Sequence, residues 1–398
     1  MMEPMNALNS QLKDMNKLDK LFRQSFMKEP EHFYMAPSRI NLIGEHLDYN
    51  GGKVLPASIS RYLKAAVSKR DDRKLVFISS NIEGLKTFDM DDIKNDKANG
   101  WCNYPLGIFK MLMDAGHKLP YGLNISYDSD IPMGSGLSSS AAMLDLTALI
   151  ASNSYGLDLS NKEIALLAFK AETTFSGLKC GIMDQFAIAL GRKDKALLLD
   201  CTSQEYEYID SKIDDNYSLV VIVSNVAHDL VSSPYNTRVE ECHKGLELLK
   251  SEYHINSLCE LSVDNMINYE VIIDDDVIFR RVRHVISESD RVNKFINALK
   301  NNRVKELGKL LNASHDSLRY DYEVTGEYLD YIHDESLKLG AIGERMIGGG
   351  FAGSSIAIIK KDEFNNFSKE LTKRYKDKFG IEPDIFLADI VDGIKVVK

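Results

Sequence analysis

Leu123, Ile125 and Tyr127 alternate with polar residues, a period of two that predicts a half-buried strand. From Met143 the pattern thickens to Leu144, Leu146, Leu149 and Ile150, which predicts a helix over about 138–152. Further strands are predicted at Ile40–Ile43, Leu63–Ser68, Leu75–Ser79, Leu219–Ser224 and Ser355–Ile359, and a helix at about Trp101–Ala115. Ser160-Asn161-Lys162-Glu163 is a capping box, and Ile164, Leu167, Ala168 and Ala171 give the helix it opens an apolar face. Met183–Leu190 is apolar almost all round between Gly181 and Gly191, which predicts a buried helix. The first 30 residues read as a polar helical lead-in. The chain turns acidic at about 200–215, which suggests a domain junction. Ser232 to Arg238 leads into a long helix, and the next 100 residues are mostly helical and charged. Arg280, Arg281, Arg283 and His284 alternate with Val282 and Val285, so a solvated helix face is their expected setting.

With 398 residues, 44% of them hydrophobic, there is material for two or three domains with full cores. The 49 basic and 59 acidic residues leave a net charge of −10, which argues against broad nucleic-acid binding but permits a local anion pocket. Five cysteines without a CxxC pair suggest neither a zinc site nor a disulfide framework, so a reducing cytoplasm is expected. No secretory leader and no membrane-length apolar run is read.

Five places carry candidate chemistry. Pro132-Met-Gly-Ser-Gly-Leu-Ser-Ser-Ser-Ala-Ala142 joins a strand to a helix. It reads as either a phosphate cradle of backbone N–H groups or a polar turn that caps the helix. It is not a Walker A loop, since no Lys precedes the serines, nor a dinucleotide fingerprint, since Ser139 stands at the third glycine position. Ser38-Arg39-Ile40-Asn41-Leu42-Ile43-Gly44-Glu45-His46-Leu47-Asp48-Tyr49 releases a cluster of hydrogen-bonding side chains at a strand end. Asp184 is the one ionisable group in its apolar helix, so it needs a partner or a task. Glu172 lies at the edge of an apolar face, either as a boundary residue or as a cation ligand. Gly348-Gly349-Gly350 is a turn expected to press against a ligand or another loop.

In this order the segments resemble the GHMP small-molecule kinases, and within them the galactokinase branch. The stretch from Ser38 to Tyr49 resembles the sugar signature, Pro132–Ala142 the nucleotide loop, and Gly343 to Gly353 the third glycine motif. The likeness runs from about Phe33 to Ile359. It implies an α+β fold of two domains, residues 1–205 with a mixed sheet and 206–398 with a ferredoxin-like sheet, and a site in the cleft between them. It implies phosphorylation of the C1 hydroxyl of galactose by ATP with Mg2+, in a cytoplasmic monomer that binds neither nucleic acid nor membrane.

Roles follow from the resemblance position by position. Asp184 matches the aspartate that accepts the hydroxyl proton or orients that oxygen, and Arg39 the arginine that stabilises the transferring charge. Glu45, His46, Leu47, Asp48, Gly181 and Tyr235 match sugar-binding positions. Gly134, Ser135, Gly136, Leu137, Ser138, Ser139 and Ser140 match the phosphate loop, with Ser79, Trp101 and Tyr104 as further nucleotide positions. Ser140 and Glu172 match the magnesium ligands. Several positions depart from the family pattern: Ser38 replaces a glycine, Leu47 a threonine, Ala352 a glycine, and Ser354-Ser355 a Cys-Thr pair. The Leu47 departure leaves N-acetylgalactosamine or another pyranose as an alternative acceptor. A non-catalytic sugar sensor would lack the Ser-Ala pair of the loop, and Ser140-Ala141-Ala142 is intact.

Overall fold

The computed structural model describes residues 3–226 and 234–397; Ser232 and Ser233 lie outside the described residues. In the first half, helix α1 (Glu3–Phe26) precedes strands β1 (His32–Asn41), β2 (Lys53–Val54), β3 (Pro56–Lys69), β4 (Lys74–Ser79) and β5 (Lys86–Asp89). Helix α2 (Asn103–Asp114) and strand β6 (Leu123–Ser129) lead to α3 (Ser139–Tyr155), α4 (Asn161–Lys170) and α5 (Met183–Leu190). The hairpin β7 (Lys195–Asp200) and β8 (Tyr206–Asp210) follows. The second half holds β9 (Tyr217–Val223), α6 (Tyr235–Lys250), α7 (Met266–Ile272), α8 (Asp276–Lys300), α9 (Val304–Ser317) and α10 (Gly326–Lys338). It closes with β10 (Gly343–Ile347), β11 (Ser354–Lys360), α11 (Phe364–Phe379), β12 (Asp384–Leu387) and β13 (Lys395–Val396).

The expected α+β architecture is present. A six-stranded mixed sheet runs β13-β1-β3-β6-β4-β5, with β4 and β6 parallel and the other pairs antiparallel. A four-stranded antiparallel sheet runs β10-β11-β9-β12, and β2-β7-β8 forms a small third sheet. Helices α3 and α5 pack on β1 and β3, which buries Ile40, Leu144, Phe186 and Ile188. Leu18 and Phe22 of α1 cover Ala66 of β3. The Ser160 box is made in full: its side chain accepts from Glu163 N while Glu163 accepts from Ser160 N. No helix among the described residues is long and apolar enough to cross a membrane.

Two details place the site. The β1–β3 register slips between Pro37 and Ser38, a bulge that re-aims the next side chain, Arg39. In the other half, Glu344 of β10 accepts from His333 Nδ1 at 2.7 Å, and Met346 N donates to His315 Nδ1 at 3.3 Å. These buried bonds hold β10 in position, so Arg345 and the glycine turn after it meet the end of β1.

The expected solvated face at 280–284 is observed only in part: the Arg283 side chain is 41% exposed, while other positions turn inward. Arg281 is 2% exposed and His284 is fully buried. Arg281 Nε donates to Glu241 at 2.8 Å, its Nη2 to Glu323 at 2.6 Å, and Nη1 to the Asp321 carbonyl at 2.5 Å. A buried guanidinium is tolerated when such acceptors satisfy it. They come from residues 40 or more positions away, so local alternation could not reveal them.

Candidate active site

Arg39 and Asp184 form the centre. The buried guanidinium donates from Nε to Asp184 Oδ1 at 2.7 Å and from Nη2 to Oδ2 at 2.8 Å, a two-point pairing that fixes the carboxylate plane. Ser138 Oγ also donates to Asp184 Oδ2. Asp184 is half-buried, so it faces the cavity instead of lying sealed in the core.

Glu45, His46 and Asp48 follow the end of β1, where Gly44 (φ +99°) and His46 (φ +63°) turn the chain sharply. Glu45 is buried and accepts from Gly348 N at 3.0 Å, with Arg345 Nη1 at 3.2 Å. Burial raises its pKa against the pull of Arg345 and Arg39. Burial holds the His46 pKa well below its ordinary value, so the imidazole is neutral. His46 Nδ1 is 2.8 Å from the Tyr49 hydroxyl, while the buried Nε2 has no protein partner. Asp48 is pushed up to about 7 by burial, with the charges of Asp184 and Glu45 adding to the effect. Gly181 is required beside it, because a Cβ there would come within 2.1 Å of Asp48 Oδ2. The Tyr235 ring lies 5.8 Å from His46 and 5.6 Å from Tyr49.

On the other side, α4 ends in a π-turn, Ala171–Phe175, that carries Glu172 inward. Glu172 is 3% exposed and pushed up to about 7, first by burial and then by the charge of Asp184. Gln185 Nε2 donates to Glu172, and its Oε1 is buried without a protein partner. Asp145 of α3 is fully buried; burial and the charges of Glu172 and Asp184 hold its pKa well above the ordinary range. Three neighbouring acids with only Arg39 paired among them, a buried amide oxygen to spare, and the Ser140 hydroxyl fit a hard divalent cation that takes oxygen ligands.

One cavity of about 290 Å³ brings most of the sequence-derived positions together. It is lined by Arg39, Glu45, His46, Asp48, Tyr104, Gly134, Ser135, Gly136, Ser138, Ser139, Ser140, Glu172, Gly181, Asp184 and Tyr235. Leu47, Ser79, Trp101 and Leu137 are not in its lining. Leu47 and Leu137 are core residues, Trp101 packs edge-on against Tyr127 at 5.7 Å, and Ser79 Oγ accepts from Asn81 N at 3.1 Å. Gly348 and Gly349 of the expected glycine turn also line the cavity, together with Leu178, Cys180, Met183 and Gln185, for which no site role was expected from the sequence. Arg345 touches Glu45 from behind. The triple glycine was the signal for the turn; Arg345, beside Glu344 in the short strand Gly343–Ile347, carried no comparable signal.

The cavity gathers two carboxylates, a neutral imidazole, a glycine-serine loop and a guanidinium–carboxylate pair, and the family models give the class of protein that carries them, the GHMP small-molecule kinases. Residues 103–192 match the model of the GHMP kinases N terminal domain and residues 295–377 that of the GHMP kinases C terminal. Residues 20–69 match the galactokinase galactose-binding signature. The chain is 41% identical over 379 residues to a galactokinase of Limosilactobacillus reuteri, covering 93% of this chain and 96% of that one. It is 42% identical over 383 residues to a galactokinase of Clostridium perfringens, covering 96% and 99%. The crystal structure of Lactococcus lactis galactokinase complexed with galactose superposes with a TM-score of 0.92 at 34% identity, over 96% of this chain and 99% of that one. Methanococcus jannaschii mevalonate kinase, at 20% identity and a TM-score of 0.65, shares the fold. The chain belongs to the galactokinase family.

Proposed function

We propose that this protein transfers the γ-phosphoryl group of ATP to the C1 hydroxyl of galactose, giving galactose 1-phosphate. The observation that carries the reading is the position of the Arg39–Asp184 pair, between the Glu45–Asp48 acceptors and the Gly134–Ser140 loop in one cavity. Phosphoryl transfer needs in-line placement and charge neutralisation more than covalent chemistry.

In this reading Glu45, Asp48 and the unpartnered His46 Nε2 take sugar hydroxyls, with Gly181 leaving the room they need. Asp184 orients the C1 oxygen and accepts its proton as the bond to phosphorus forms. Arg39 holds that carboxylate in a fixed plane through two hydrogen bonds and faces the transferring group. Ser140 and Glu172 would hold Mg2+, which would supply positive charge against that of the phosphates. A monomer in a reducing cytoplasm completes the reading; the five cysteines are all unbridged.

The experiment is an ADP-release assay over a panel of free sugars, with 1-deoxygalactose as control. Turnover with galactose and none with the 1-deoxy sugar is expected. Turnover with N-acetylgalactosamine and none with galactose would move the acceptor, and equal turnover with 1-deoxygalactose would move the reacting hydroxyl.

A further inference from the structure

Three consecutive carbonyls of the nucleotide loop are each taken from behind by a different buried side chain. Ser354 Oγ donates to the Ser135 carbonyl at 2.6 Å, Arg39 Nη1 to that of Gly136 at 2.7 Å, and Ser38 Oγ to that of Leu137 at 2.8 Å. Ser38 and Ser354 are fully buried and Arg39 is 4% exposed. The donors come from two places: Ser38 and Arg39 from the β1 bulge and the residue after it, and Ser354 from the first position of β11.

In a planar trans peptide the C=O of one residue and the N–H of the next point in opposite directions. Fixing the carbonyls of 135 and 137 on the side of the buried serines therefore turns the N–H groups of Gly136 and Ser138 the other way, toward the cavity that both residues line. The backbone agrees: Gly134, Gly136 and Ser138 have φ of +67°, +73° and +61°, and the residues between them do not. Alternation of this kind makes a concave nest of N–H donors.

We propose that Ser38 and Ser354 are positioning residues that pre-set this nest for the phosphates of the nucleotide. The inference rests on the kinase reading above and deepens it. Arg39 already has a charge to supply to the reacting centre, but neither serine lines the cavity. Their contribution is to hold two peptide planes, so that the loop does not have to find its orientation when the anion arrives. A glycine at 38 or a cysteine at 354 would lose or weaken the bond made there. A glycine offers no side-chain donor and a thiol only a weak one.

The test uses Ser38→Ala, Ser354→Ala and the double variant, with Ser354→Cys as the conservative change. The affinities for a Mg2+-complexed non-hydrolysable ATP analogue and for galactose are measured separately by calorimetry. Amide hydrogen exchange of 135–140 is followed on the same samples. Each alanine variant should weaken analogue binding about fivefold, the double variant about twentyfold or more, and Ser354→Cys by less than Ser354→Ala. Galactose affinity should stay within about twofold, and exchange at 136–138 should quicken. If the double variant binds the analogue as the wild type does, or if both ligands weaken equally, the positioning role is wrong. A wild type that binds no analogue would instead overturn the nucleotide reading itself. Should the double variant not fold, the single variants and Ser354→Cys carry the same comparison.

Discussion

Asp48 and Glu172 are each pushed up to about 7, from ordinary values of 3.8 and 4.5. In the ligand-free protein each therefore keeps a proton that the unfolded chain gives up near pH 4. The native state binds more protons than the unfolded state between about pH 4 and 7, so these groups cost stability as pH rises through that window. At pH 8, Asp48→Asn and Glu172→Gln should melt about 1–3 °C above the wild type by calorimetry, and the difference should vanish near pH 4. A wild type that melts higher at pH 8 would contradict this. Function runs the other way. Galactose affinity should rise with pH through about 7 as Asp48 ionises and becomes a full acceptor, and Asp48→Asn should flatten that limb of the profile. Calorimetric titration from pH 5 to 9 measures it.

Among the elements, the turn after β10 joins the two substrate regions. Gly348 N donates to Glu45, and a Cβ on Gly348 would meet the Gly136 carbonyl at 2.9 Å with φ at +80°. Gly348→Ala should therefore push the nucleotide loop and strain its own backbone together, lowering kcat/KM for ATP at least about tenfold in steady-state assays. Ser160→Ala gives a contrast. It removes the capping box of α4 at a cost of about 1 kcal/mol in urea unfolding, and the KM for both substrates should stay as it was. The sequence made the α4 start legible because the whole cap lies within four residues. It made the glycine turn half legible: three consecutive glycines said that something presses there, but the partner, Gly136, is more than 200 residues away. The Pro37/Ser38 bulge left only a proline as its trace, and the burial of Arg281 and His284 left none, because their partners come from distant parts of the chain.

At the scale of the molecule, β1 holds the assembly together. It carries Ser38 and Arg39, pairs with β3, and receives β13 from the end of the chain. We propose a division near 205, with the final strand returning to the first sheet and the site between the parts. Arg345, from the second part, donates to the Asn41 carbonyl and pairs with Glu45, both from the first. The sequence showed the order of the motifs and, through the family resemblance, their roles. It could not show that Leu47 and Leu137 would turn into the core while their neighbours faced the cavity, because side-chain direction in a tight turn is set by packing across the cleft.

All of these placements converge on the carboxylate held by Arg39. The most direct test is Asp184→Asn, assayed for single-turnover phosphoryl transfer and for galactose affinity on the same folded sample. Transfer should fall by about a hundredfold or more, while the galactose dissociation constant stays within about threefold and the melting temperature is retained. Transfer close to that of the wild type would contradict the assignment of the reacting centre.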